Sequence, residues 1–191
     1  MPGDSGKEAK EKQKRERKRR KKSAFLMKKR LNFILLNGAM GSGKSTVADL
    51  LKNKLEKTAV LEIEDVRSLV TGNQDNLLAW KVIYRMCDEY FRNDVSVLLK
   101  QTVASKEMVN KFLALAKKHK CNIAFYHLQA PRNILMQRIH KRKKIKKAPK
   151  SLIMNNIKKQ EGIHYTGAVL INTSKMKPDD IANLIIRDLG L

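Results

Sequence analysis

The stretch Phe33-Ile34-Leu35-Leu36-Asn37-Gly38-Ala39-Met40-Gly41-Ser42-Gly43-Lys44-Ser45-Thr46 decides the fold. Gly38, Gly43, Lys44 and Ser45 fill the pattern G-x-x-x-x-G-K-[ST], which average residue usage would give a chain of this length about once in a hundred times. The apolar run Phe33–Leu36 reads as a strand entering the pattern. Val47, Leu50, Leu51 and Leu55 share one face of a helix leaving it. Glycines let backbone N–H groups approach phosphate oxygens without Cβ clashes, and the helix N-terminus adds partial positive charge. Gly38, Ala39, Met40, Gly41, Ser42, Gly43, Lys44, Ser45 and Thr46 are therefore expected to cradle the phosphates of a nucleotide. In that arrangement Lys44 reaches the β/γ-phosphates and the Ser45 hydroxyl completes a Mg²⁺ shell.

Outward from this loop, short apolar runs alternate with helical stretches. Asn32–Asn37, Ala59–Ile63, Val95–Leu99, Ile123–Leu128 and Ala168–Asn172 are the expected strands. They are mostly continuous apolar segments, as in a parallel sheet covered on both faces. Met108, Val109, Phe112, Leu113 and Ala116 recur at helical spacing behind Ser105, a candidate cap, and a last helix starts at Pro178 and stops at Gly190. Five strands alternating with helices predict a three-layer α/β domain over residues 31–191.

Residues 1–30 differ. They carry 14 of the 42 Lys and Arg residues against four of the 18 acids, and the whole chain has a formal charge of +24. Residues 1–23 are too charged to bury much apolar surface and read as a largely disordered tail. Such a field attracts polyanions, so contact with RNA through the tail and a basic segment near residues 138–160 is expected alongside nucleotide binding. No apolar run reaches the roughly 18 residues of a membrane span. Cys87 and Cys121 match neither a disulfide framework nor a zinc pattern and read as reduced thiols of a cytoplasmic protein.

The second expected strand ends Leu61-Glu62-Ile63-Glu64-Asp65-Val66-Arg67. Functional residues in such sheets gather at the carboxyl ends of strands, and strand alternation would put Glu62 and Glu64 on one face. One carboxylate could orient the water shell of Mg²⁺ while the other accepts a proton from an attacking hydroxyl. These tasks fall to Glu62 and Glu64 respectively, with Arg67 holding the acceptor and Asp65 the best cap for the next helix. Asn76 and Arg85 are further conceivable substrate contacts, Trp80, Tyr84 and Tyr90 read as packing residues, and the four histidines show no metal-ligand spacing.

With the phosphate loop, Leu61–Arg67 resembles the small-molecule kinases of the P-loop class, within the kinase-like group of AAA-type ATPase domains. That class includes adenylylsulfate kinase, gluconate kinase, shikimate kinase, chloramphenicol phosphotransferase and the zeta-toxin-like kinases. Their second strand often reads Leu-Asp-x-Asp-x-Leu-Arg, onto which Leu61, Glu62, Glu64, Val66 and Arg67 fall, with both acids one methylene longer here. The segments VSVLLKQTVASKEMVNKFLALAKKH, IAFYHLQAPRNILMQRIHKRKK and GAVLINTS resemble the later strands, the lid and the loop beside the adenine base.

The resemblance implies a P-loop NTPase sheet in the order 2-3-1-4-5, ATP as phosphoryl donor, and a lid whose Arg138 and Arg142 meet the transferring phosphoryl oxygens. Lys100 departs from it, standing where zeta-toxin-like members carry an acid. Three functions remain open at this stage. The first is phosphoryl transfer from ATP to a hydroxyl of a small-molecule acceptor. The second is a nucleotide or RNA kinase, and the third an RNA-associated ATP-binding switch with little turnover.

Overall fold

The computed structural model describes residues 30–71, 76–141 and 149–191. The central strand is β1 (Asn32–Gly38), flanked by β3 (Ser96–Lys100) and β4 (Asn122–Gln129), with β2 (Thr58–Leu61) and β5 (Val169–Asn172) at the edges. All the pairings are parallel and the order is β2-β3-β1-β4-β5. This is the three-layer P-loop NTPase sheet that the sequence implied.

Alternation along β1 explains why the sheet is covered twice. Phe33 and Leu35 enter a core with Leu61, Val97, Leu99, Ile83, Phe91 and Phe112. These come from the neighbouring strands and from α3 (Asn76–Arg92) and α4 (Lys106–Lys118). Ile34 and Leu36 point the other way, into a core with Val47 and Leu51 of α1 (Lys44–Lys52) and Ile181 and Ile185 of α7 (Pro178–Asp188). Phe33, Ile34, Leu35 and Leu36 are all essentially fully buried, so β1 is fixed in register on each face, and the loop that follows it inherits that rigidity.

Local chemistry sets the element ends. The Ser105 hydroxyl accepts the Met108 N–H at 3.2 Å, capping α4 as its sequence suggested. α7 begins at Pro178, and Gly190 takes a positive φ of 72° two residues after it ends.

The second strand is shorter than expected. β2 stops at Leu61, Glu62 stays extended, and α2 (Ile63–Ser68) begins at once. Ile63 and Val66, three apart, are both buried, so helical spacing wins over alternation at this point. The Ile63 N–H, an orphan donor of the helix start, is taken by Gln101 Oε1 at 3.3 Å. Glu62 and Glu64 therefore do not share a strand face: Glu62 precedes the helix and Glu64 lies in its first turn. Asp65 is not the cap; that position is held by Glu62, whose side chain makes no capping bond.

Two helices cover the loop from the far side. α5 (Arg132–Lys141) and α6 (Lys150–Gln160) bring Leu135, Ile153 and Ile157 onto Ala39 in a small third core. The segment read as a lid, residues 138–160, takes in the end of α5 and all of α6; its residues 142–148, Arg142 included, lie outside the described residues, as does the tail up to residue 29.

Candidate functional site

The phosphate loop is held by buried polar bonds. Asn37, fully buried at the end of β1, uses Oδ1 to accept the N–H groups of Gly38 and Val103, both at 2.8 Å, and donates Nδ2 to Val103 O at 3.0 Å. The turn after β3 is thereby tied to the loop. Gly38 O accepts the Thr102 hydroxyl and Lys44 Nζ, each at 2.8 Å, and Lys44 Nζ also donates to Ala39 O at 3.0 Å. Gly41 shows why the loop needs glycine. Its φ is +81°, and a Cβ there would come within 2.7 Å of the Leu135 carbonyl.

A cavity of about 510 Å³ opens on one side of the loop. Lys44, Ser45, Glu62, Glu64 and Arg67 all line it. Trp80, an expected packing residue, does both jobs: it lines the cavity and stands edge-on to Phe112, ring centroids 5.7 Å apart. Asn76 is in the wall too; Arg85, Tyr84 and Tyr90 are not. Glu64 is an exposed residue that lines the cavity. Partial burial, reinforced by the neighbouring Glu62 carboxylate, raises its pKa above the ordinary 4.5, with Arg67 and Lys44 pulling the other way.

Glu62 is engaged: its Oε2 lies 2.6 Å from Lys100 Nζ, with three-quarters or more of each side chain buried. This bears on Mg²⁺. Ser45, in the first turn of α1 and in the cavity wall, supplies the hydroxyl donor such an ion takes at a phosphate loop. The Glu62 carboxylate is already paired, and among the described residues no group of three His, Cys, Asp or Glu side chains is placed to hold a metal. Of the residues present, Ser45 is the one that would hold such an ion.

A second cavity, about 230 Å³, lies on the other side, and Gly41 and Gly43 border both. Its wall holds Thr46, Arg138, Thr173, Met176 and Pro178. Arg138 is fixed here rather than in the wall of the larger cavity. Its guanidinium donates to Thr173 Oγ1 and Thr173 O at 2.8 Å each, and more weakly to Gly41 O at 3.4 Å.

Sequence reasoning overlooked Gln101, Thr102 and Asn156. The first two follow β3 directly, at the carboxyl end where functional groups collect, so their position was a usable signal. Asn156 lies on α6 and takes the Met40 N–H at 2.8 Å; nothing in its local sequence pointed to it. His127 is buried, and burial together with the Lys44 charge lowers its pKa, which keeps the imidazole neutral. Cys87 and Cys121 are free thiols, and burial pushes Cys87 up to about 12. No helix among the described residues is long and apolar enough to cross a membrane.

A family profile described as an AAA domain matches residues 33–164, from the start of β1 to just before β5. The chain belongs to this AAA-domain family. No curated protein sequence matches it, but solved structures with the same fold are plentiful. The AAA-domain chain is 16% identical to the APS kinase of Mycobacterium tuberculosis, solved with AMPPNP and APS, with a TM-score of 0.55 over 85% of this chain and 99% of that one. A gluconokinase of Sinorhizobium meliloti is 16% identical with a TM-score of 0.59, over 83% of this chain and 89% of the other. The tunicamycin resistance protein of Deinococcus radiodurans is 19% identical with a TM-score of 0.62, over 85% and 97%. The AAA-domain chain thus has a P-loop kinase-like fold, shared by several kinases and specific to none of them.

Proposed function

We propose that this protein transfers the γ-phosphoryl group of ATP to a hydroxyl of a small-molecule acceptor. One observation carries the reading: Lys44 and Ser45 of the loop share the wall of one cavity with Glu64 and Arg67. The loop would hold the phosphates through its backbone N–H groups and Lys44. Arg138 and Thr173 would enclose the base and ribose in the smaller cavity. The larger cavity would receive the acceptor, oriented by Arg67 and Asn76 against Trp80.

Glu64 is then the group that accepts the acceptor's hydroxyl proton. The freed oxygen forms a bond to the γ-phosphorus, the bond to the β–γ bridging oxygen breaks, and ADP leaves. A raised carboxyl pKa makes Glu64 a better proton acceptor. Mg²⁺, when bound, would supply charge neutralisation at the β- and γ-phosphates. In this reading residues 1–30 are a basic tail and residues 31–191 the catalytic domain, with Arg142 a further lid cation.

The test is ADP release from ATP in the presence of fractionated cell metabolites, followed by mass spectrometry of the stimulating fraction. Stimulated release with a matching phosphorylated product is expected. Release unaffected by every fraction would contradict the reading. A second reading, a polynucleotide acceptor, is favoured by the net charge of +24. It predicts that RNA stimulates ADP release and that added salt suppresses the effect.

A further inference from the structure

The charge at the carboxyl ends of β2 and β3 has a consequence for metal dependence. Lys100 is the last residue of β3, and it is register partner to Leu36 of β1, two positions before the phosphate loop. The residues after it are anchored to the loop strand: Gln101 N–H donates to Leu36 O at 3.0 Å, and the Thr102 hydroxyl donates to Gly38 O at 2.8 Å. Lys100 is therefore held beside the loop by backbone bonds, and its ammonium meets Glu62 Oε2 at 2.6 Å. Only 16% of the Lys100 side chain and 25% of the Glu62 side chain are exposed, so solvent screens this pair less than a surface one.

The cavity wall contains two carboxylates, Glu62 and Glu64, beside the positive Lys44 and Arg67. A nucleotide placed on the loop brings several negative charges toward both. With an unpaired Glu62, a divalent cation would be the natural means of cancelling that repulsion. Here a covalently attached ammonium already cancels it.

We propose that Lys100 is a resident counter-cation, a positioning residue for Glu62, that makes nucleotide binding at this loop largely independent of divalent metal. The inference rests on the reading of the loop as an ATP site, and it concerns binding; the transfer step can still require the ion. It also gives Glu62, which lines the cavity, a role different from that of a metal-orienting group: its carboxylate holds the Lys100 ammonium directly behind the cavity wall.

The experiment is calorimetric titration of ATP into the full chain, in MgCl₂ and separately in EDTA. The parent is expected to show dissociation constants within about threefold of each other in the two conditions, since Lys100 neutralises Glu62 in both. Lys100→Met leaves Glu62 uncompensated, so its affinity in EDTA should fall about tenfold while its affinity in MgCl₂ stays near parental. The double variant Lys100→Met with Glu62→Gln should recover the parental ratio.

Glu62→Gln alone, which keeps Lys100, provides a check should Lys100→Met fold poorly by thermal melting; its metal-free affinity should equal or exceed the parent's. A parent affinity that collapses in EDTA, a Lys100→Met ratio equal to the parent's, or a weakened metal-free Glu62→Gln each overturns the inference while leaving the kinase reading intact. Absence of ATP binding in both conditions overturns the two together.

Discussion

The backbone N–H of Met40 in the phosphate loop donates to Asn156 Oδ1 in α6 at 2.8 Å, across 116 residues of chain. A helix of the basic segment is thus latched directly to the loop. Ile153 and Ile157, on the same helix, pack on Ala39 beside it. The loop's shape therefore depends on a helix outside the motif. Asn156→Ala removes one neutral hydrogen bond and should raise the KM for ATP about three- to tenfold with kcat little changed. A fall in kcat with KM unaltered would place Asn156 in the chemical step instead.

Arg138 is bonded to Thr173 and lines the smaller cavity, which the proposed function gives to the base and ribose. Arg138→Ala should weaken ATP about tenfold, the cost of one charge-assisted contact. Binding of inorganic tripolyphosphate, which lacks base and ribose, should stay within about twofold of the parent. Equal losses for the two ligands would return Arg138 to the phosphates.

The pH dependence follows from the direction of the Glu64 shift. A proton acceptor must be ionised, and burial moves this carboxyl above the ordinary 4.5. The acid limb of the kcat profile should therefore lie above that value, with activity lost as pH falls through the shifted pKa. Glu64→Gln should remove the limb and lower kcat by roughly 10²–10⁴-fold with ATP affinity retained. An unchanged acid limb in Glu64→Gln would assign the titration to another group.

Much of the fold was legible because β1 and the loop speak in two registers at once. Phe33–Leu36 is apolar at every position, which only a doubly covered strand requires, and Gly38–Ser45 has a spacing with a mechanism behind it. The end of β2 was misread because Glu62-Ile63-Glu64 alternates perfectly, whereas Ile63 and Val66 bury together as a helix. Local periodicity of three residues cannot separate those outcomes. The Lys100–Glu62 pair and the Met40–Asn156 latch were invisible for another reason: each joins segments whose proximity is created by the sheet order and the helix packing.

Core packing supports the wall of the larger cavity. Phe112 of α4 is 1% exposed and touches Phe33, Trp80 and Tyr84, with ring centroids at 6.4, 5.7 and 5.7 Å. Phe112→Ala should cost about 3–5 kcal/mol in chemical denaturation, since the site sits between the sheet and two helices and cannot collapse freely. Trp80 is the chain's sole tryptophan, so its fluorescence reports the same change at the cavity wall. A loss under about 1 kcal/mol would show that the neighbours fill the space.

Label transfer tests the central claim most directly. The full chain is incubated with ATP labelled in its γ-phosphoryl group, MgCl₂ and the stimulating metabolite fraction, beside Lys44→Ala, which lacks the ammonium that the proposed function sets against the β/γ-phosphates. The label should pass from ATP to an organic product with the parent, and fall at least about a hundredfold with Lys44→Ala, the scale of one lost transition-state contact. Equal label transfer by the two proteins, or label recovered from the parent only as inorganic phosphate, would contradict it.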